Sequence, residues 1–303
     1  MVSFTSRLKA SVDQRLRGRP ERLEQLVHWR WRWARRWVRP RPHRLPQPLY
    51  ITLTSYGPRL ATLLPTLKCL LMQSCAPNAV VLWIDENEID QLPADVQALR
   101  AHGLQIRSCA NLKSYKKIIP LLREAPHAYL VTADDDCYYP PDWLDQLVQA
   151  SRQGRAEAVC HRAHRIRVDA SNRPLPYLEW ELHLKTTSVH SLNFMTGVGG
   201  VLYPPGCFAP EVTDESLFMR LCADCDDVWL WWMLRRNGYV VRKVGGHWPV
   251  VNWNRSQQAS LYDLNVTKSG NDVAIERMVE HFGFPTPAAT PETTSASVGP
   301  VTH

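Results

Sequence analysis

Residues 128–143 read AYLVTADDDCYYPPDW, and this stretch decides the fold of the 303-residue chain. A short apolar run, Ala128 to Ala133, reads as a buried strand and stops at three adjacent carboxylates, Asp134, Asp135 and Asp136. Pro140-Pro141-Asp142 then starts a helix over Trp143 to Ser151.

Upstream, the same alternation repeats. Leu49 to Leu53 is a strand-like run ending in Thr54-Ser55-Tyr56-Gly57, and Leu63 to Met72 has helical apolar spacing. Ala79 to Ile84 reads as a buried strand ending at Asp85, Val96 to Ala101 as a short helix, and Leu104 to Arg107 as a strand. Tyr115 to Arg123 reads as a helix interrupted by Pro120. Strand and helix alternating at this spacing predict right-handed βαβ units and a mostly parallel α/β sheet flanked by helices. Ligands of such sheets lie beyond the carboxyl ends of the strands, where the polar residues Thr54, Ser55, Asp85, the 111–113 loop and Asp134–Asp136 collect. Beyond 161 the segments are less regular, until a helix over 226–237, closed by Gly238, and a strand over 239–244.

The formal charge of +7 is unevenly spread. Residues 1–48 hold 13 Lys/Arg against 3 Asp/Glu, whereas 49–303 is slightly acidic, so the body gives no reason to expect nucleic acid. In the arm, Leu26, Trp29, Trp33 and Trp37 fall on one side of a helix, with Arg32, Arg35, Arg36 and Arg39 on the other. That pattern suits peripheral contact of 26–39 with an anionic membrane, ahead of packing on the body and of nucleic-acid stacking. No run reaches the length of a membrane span, and no signal peptide is evident. The eight scattered Cys then read as reduced thiols of a cytoplasmic protein, and the lone pair Cys222-x-x-Cys225 is weak grounds for zinc or redox chemistry. The Pro/Thr/Ala/Ser-rich tail, 284–303, is expected to be disordered.

Successive residues of extended backbone point to opposite sides, so Asp134 and Asp136 are expected to face one way with Asp135 turned aside. Two convergent carboxylates call for a hard divalent cation, and a set this sparse suits Mn²⁺ or Mg²⁺ completed by phosphate oxygens. A turn or N-cap, a calcium loop and a solvated acidic loop compete with that reading. The calcium loop fails because positions six and twelve, counted from Asp134, are Tyr139 and Asp145. An N-cap needs one Asp, and Asp142 is better placed.

Six segments, ITLTSYGPRL, VVLWIDE, NLKSYKKIIPLL, VTADDDCYYPPDWL, TGVGGVLYPPG and DDVWLWWMLRRNG, occur in that order. Together they resemble bacterial glycosyltransferases of the GT-A (Rossmann-like) fold, similar to the polysaccharide-building family-2 group, over about 50–280. The resemblance implies a single body with an N-terminal basic arm and linker (1–48), a nucleotide-sugar-binding half (49–160), an acceptor-binding half (161–283) and the tail. It implies that Thr54, Ser55 and Tyr56 line the base and ribose, that Asp85 meets the base, and that Lys113 approaches ribose or phosphates. Asp134 and Asp136 match the family's DxD, Asp136 as the more direct metal ligand and Asp134 nearer the ribose. Gly199 and Gly200 would run beside sugar and acceptor. Asp226-Asp227 stands where the family has the acidic pair that supplies the catalytic base, and Asp-Asp in place of Glu-Asp leaves both as candidates. Two acids at a helix start also suit the helix dipole with no catalytic role.

The expected function is thus a metal-dependent inverting transferase of a hexosyl or N-acetylhexosaminyl group. It would use a nucleotide-diphosphate donor, UDP-linked by preference, and a glycan or lipid-linked glycan acceptor, at the inner face of the cell membrane. Asp227 is the preferred base. Lys116 and Lys117 read as a solvated helix start, and His247 as a satisfied loop residue. Trp180, between Glu179 and Glu181, reads either as a sugar platform or as packing. A nucleotidyltransferase is a rival, but TSYGPRL carries one Gly and one Arg where such enzymes have a glycine-rich basic loop. A catalytically inactive binding module is the other rival.

Overall fold

The computed structural model describes residues 15–16, 18–33, 39–151, 156–254 and 270–285. Trp37, Arg35 and Arg36 of the arm, and the tail from 286, lie outside the described residues.

An eight-stranded sheet organises the chain: β1 (Leu49–Thr54), β2 (Ala79–Asp85), β3 (Leu104–Cys109), β4 (Tyr129–Thr132), β5 (Glu157–Cys160), β6 (Ser188–His190), β7 (Val201–Tyr203) and β8 (Val240–Lys243). Their spatial order is β3-β2-β1-β4-β7-β5-β8-β6. The first four pair in parallel, as the βαβ reading predicts. β7 runs antiparallel between β4 and β5, so the second part of the chain completes the sheet begun by the first. β8 is parallel to β5, and β6 closes the edge antiparallel to β8.

The period of two along each strand divides the core. Val80, Leu82 and Ile84 of β2 join one hydrophobic cluster with Leu49, Ile51 and Leu53 of β1. Ala79, Val81 and Trp83 join the cluster on the opposite face. The first face is covered by helices α1 (Pro20–Trp33), α2 (Leu64–Leu71), α3 (Ala94–Gln97) and α5 (Trp143–Ser151). The second is covered by α4 (Ile119–Glu124), α6 (Glu215–Cys222), α7 (Asp226–Arg236) and α8 (Gly270–Phe282). In α7 all but one of the residues 228–235 are core hydrophobics, including Trp229, Trp231 and Trp232, so this tryptophan cluster is packing.

Two local expectations change. Pro120 does not interrupt a helix: residues 113–117 form a 3-10 turn, and Pro120 sits at the first positions of α4, where its missing N–H costs nothing. The arm helix α1 is not simply a surface element, because Leu23 and Val27 are fully enclosed and belong to the first core cluster. Trp31 packs edge-on against His102 at 5.3 Å. Trp29 and Trp33 remain 58% and 53% exposed.

Candidate functional site

The segment after β4 meets the start of α7 at one cleft. Asp134, Asp226 and Asp227 line it. Arg162, His164, Tyr177, Leu178, His183 and Phe194 line it as well. The cleft is open to solvent and has a volume of about 200 Å³.

β4 ends at Thr132 and the chain turns at 135–136, so side chains there do not follow the alternation of a strand. Asp134 Oδ1 faces the ammonium of Lys117 at 3.3 Å. Asp135 is fully enclosed: Ser55 Oγ donates to its Oδ2 at 2.5 Å and Arg59 Nη1 to its Oδ1 at 2.8 Å. Burial and the neighbouring Asp136 push the Asp135 carboxyl up to about 6, against the pull of Arg59 and Ser55. Asp136 Oδ2 lies 3.4 Å from the same guanidinium, and Cys137 Sγ donates to its Oδ1 at 3.2 Å. Asp135 and Asp136 thus share the Arg59 guanidinium while Asp134 faces Lys117, and Asp135 ties the end of β1 to the turn after β4.

The acid pair at the head of α7 splits. Asp226 Oδ2 forms an ion pair with Lys117 Nζ at 2.9 Å. Both carboxylate oxygens of Asp227 accept from the backbone N–H of Gly197, at 3.1 and 3.0 Å. Burial, reinforced by the charge of Asp226, pushes the Asp227 carboxyl up to about 7, although Lys117 and the Gly197 N–H favour its ionised form. A carboxyl with that proton affinity exchanges a proton near neutral pH, which suits a general base. Burial alone would depress Lys117, but Asp134, Asp226 and Asp227 outweigh it and hold the ammonium charged.

Lys116 and Lys117 are buried, so the reading of them as a solvated helix start is corrected: each lies among the acids of the strand ends. The charge of Lys116 helps hold Asp85 below the usual carboxylate range, behind the larger effect of the Asn87 N–H. Asp85 Oδ1 also accepts from the Asn87 side chain at 2.9 Å. Lys113 instead stands at the surface, paired with Asp224 at 2.9 Å. Thr54 Oγ1 donates to Trp83 O at 2.9 Å, and Tyr56 carries the Arg59 guanidinium over its ring at 5.6 Å.

Gly199 and Gly200 face the body. A Cβ on Gly199 would meet Arg162 Cβ at 2.7 Å, and one on Gly200 would lie 2.3 Å from the Trp143 ring. Gly197 is the glycine that approaches the acids: a Cβ there would meet Asp227 Oδ1 at 3.0 Å and Lys117 Nζ at 3.1 Å. Trp180 is buried against Tyr177 and Phe194, and its indole N–H donates to Leu175 O at 2.7 Å. Its ring is enclosed by packing, which corrects the sugar-platform alternative. In the cleft lining, Arg162 donates to Thr196 Oγ1 at 2.6 Å and hydrogen-bonds His183 at 2.9 Å. Burial and the Arg162 charge lower His164 to about 2, so its ring is neutral.

Sequence reading took Lys117 for a solvated residue and passed over Gly197 and Arg59. Two adjacent Lys before an apolar run, in a body with seven Lys, were a usable signal, because a cation in a core segment must meet acids. All eight Cys are free thiols. Burial raises Cys225 to about 12 and raises Cys222 further, which removes both from thiolate chemistry. Among the described residues no group of three or more His, Cys, Asp and Glu side chains is placed to hold a metal by itself. Asp134 and Asp136 nevertheless supply two hard oxygen donors from one turn, the donor chemistry of a Mg²⁺-type site completed by a ligand.

Comparison with known proteins gives a family match. Residues 51–201 match the model for glycosyl transferase family 2, from within β1 to the first residue of β7. Among solved structures, the 1–349 portion of TarS from S. aureus is 12% identical with a TM-score of 0.45, over 78% of this chain and 72% of that one. A 4-diphosphocytidyl-2C-methyl-D-erythritol synthase from Anaerococcus prevotii is 12% identical with a TM-score of 0.44, over 74% and 96%. Neither likeness is close enough to bear on chemistry. No curated protein matches. The matched segment, 51–201, is thus similar to glycosyl transferase family 2.

Proposed function

We propose that the protein is a metal-dependent inverting glycosyltransferase. It moves a hexosyl or N-acetylhexosaminyl group from a nucleotide-diphosphate sugar, UDP-linked by preference, to a hydroxyl of a glycan or lipid-linked glycan. The observation that carries this reading is Asp227: a half-buried carboxyl with a proton affinity near neutrality, lining the same cleft as Asp134.

The donor's base and ribose would lie along the ends of β1 and β2, near Thr54, Tyr56 and Asp85. Asp134 and Asp136 would hold Mn²⁺ or Mg²⁺, which when bound neutralises the leaving diphosphate as a Lewis acid. Asp227 takes the proton from the acceptor hydroxyl as its oxygen attacks the anomeric carbon, and the Gly197 N–H, donating to both Asp227 oxygens, holds the carboxylate in place. A single base and direct displacement give inversion, whereas retention by the glycosidase route needs a carboxylate nucleophile and two steps. The acceptor enters along the Tyr177–Leu178–His183 wall. The exposed Trp29 and Trp33, beside the Arg residues of α1, support peripheral attachment at the inner face of the cell membrane, which would bring a lipid-linked acceptor within reach.

The test is a panel of nucleotide sugars, with nucleoside diphosphate release measured in Mn²⁺, Mg²⁺ or EDTA. Release with a metal, lost in EDTA and in Asp136→Asn, is expected. Turnover that survives both treatments would refute the metal assignment, and pyrophosphate released from a nucleoside triphosphate in a parallel assay with sugar phosphates would indicate nucleotidyl transfer.

A further inference from the structure

We infer that Lys117 is a positioning residue for sugar transfer: its ammonium ties Asp226, the chain neighbour of Asp227, to Asp134, while Gly197 holds Asp227 through its N–H and leaves room for both with its bare Cα. The inference rests on the transfer reaction proposed above.

Lys117 lies beneath the acids, its side chain 9% exposed, while Asp134, Asp226 and Asp227 themselves line the cleft. It therefore acts on substrate only through them. Its backbone is anchored to the sheet, because Thr52 in the middle of β1 donates its hydroxyl to the Lys117 carbonyl at 2.7 Å. From that fixed point the ammonium reaches Asp134 at 3.3 Å and Asp226 at 2.9 Å, on elements more than ninety residues apart. Asp227 completes the group through the Gly197 N–H.

Gly197 is the closing piece. A side chain there would enter the space between Asp227 Oδ1 and Lys117 Nζ, within 3.0 and 3.1 Å. The carboxylate or the ammonium would have to give by a few tenths of an ångström. Such a displacement of a reacting group lowers its rate, on a scale where about 1 Å costs on the order of 100-fold. An ion pair with a purely structural role would instead show its loss in stability and leave turnover by the folded fraction unchanged.

Two variants of the full chain test this. Gly197→Ala keeps every charge and adds one methyl, at a position whose backbone is outside the left-handed region. Lys117→Met removes the ammonium. Each is measured for kcat, for donor KM and for thermal stability. We expect Gly197→Ala to fold and to lose roughly threefold to tenfold in kcat, with donor KM within about twofold of wild type. Lys117→Met, if it folds, should show the same split. If it does not, Gly197→Ala decides alone. An unchanged kcat in Gly197→Ala would overturn the inference, and so would a rise in donor KM at constant kcat, which would place the cluster in donor binding. Absence of transfer by the wild-type chain would instead sink the proposed reaction, and the inference with it.

Discussion

Asp227 answers to two opposing influences. Burial and the charge of Asp226 favour its protonated form, while the Lys117 ammonium and the Gly197 N–H favour the carboxylate, and the balance falls at about 7. If Asp227 is the base, transfer should rise as pH passes through about 7 and level off above it, since only the carboxylate accepts the acceptor proton. Asp227→Asn should lower transfer by roughly 10²–10⁴-fold while sparing donor binding. A rate that is flat from pH 5 to 8 would move the base elsewhere. The same group makes a stability prediction. Its ordinary value is 3.8 and its folded value about 7, so the folded chain keeps a proton that the unfolded chain loses across that window. Its contribution to stability is full below pH 3.8 and is lost as pH rises toward 7. Melting temperatures of Asp227→Asn and wild type should therefore diverge in favour of Asn from pH 4 to 7 and run parallel above. Lys117 keeps Asp134 and Asp226 as partners in that variant.

At the scale of elements, the segment from Thr196 to Gly200 joins cleft and core. Gly197 faces the acids, whereas Gly200, at φ +83°, presses on the Trp143 ring of α5, whose indole N–H donates to Gly199 O at 2.8 Å. α5 is thereby locked to the start of β7. Gly206 gives a control, since its φ of +70° is similar but a Cβ there meets nothing within 4 Å. Gly206→Ala should cost about 1 kcal/mol from backbone strain alone. Gly200→Ala adds a steric conflict with a buried indole and should cost about 1–3 kcal/mol more, as read from urea unfolding. Equal losses would mean that α5 yields and that the contact does not lock the two elements.

At the scale of the whole molecule, the arm belongs to the body. Leu23 and Val27 of α1 sit in the core that also holds Leu49, Ile51 and Leu53, so truncation at residue 48 would open that core. Point substitutions separate docking from surface contact. Leu23→Ala should destabilise by about 2–5 kcal/mol. Trp29→Ser with Trp33→Ser, at exposed positions, should change stability by less than about 1 kcal/mol and reduce sedimentation with anionic vesicles. Unchanged sedimentation of the double variant would refute membrane contact through this face. No helix among the described residues is long and apolar enough to cross a membrane.

The strand ends were legible because their determinants are local. Continuous apolar runs such as Ala79 to Ile84 read as strands buried on both faces, and a parallel series places Thr54, Asp85 and Asp134 at one edge whatever the packing details. Asp226 and Asp227 were legible as a pair at a helix start for the same reason. The sequence by itself thus determined the layered α/β architecture of the first four strands and the cluster of acids at their edge. Tertiary structure alone decided which charges meet. Lys113 and Lys117 are chemically identical and four residues apart, yet the 3-10 turn sends Lys113 to Asp224 at the surface and Lys117 beneath three carboxylates. It likewise decided that Asp135 anchors the turn through Ser55 and Arg59, and that Gly197 closes on the acids while Gly199 and Gly200 pack on the body. Ion pairing acts over a few ångströms in space, and the partners here lie 17, 76, 80 and 111 residues apart along the chain, beyond the reach of any local pattern.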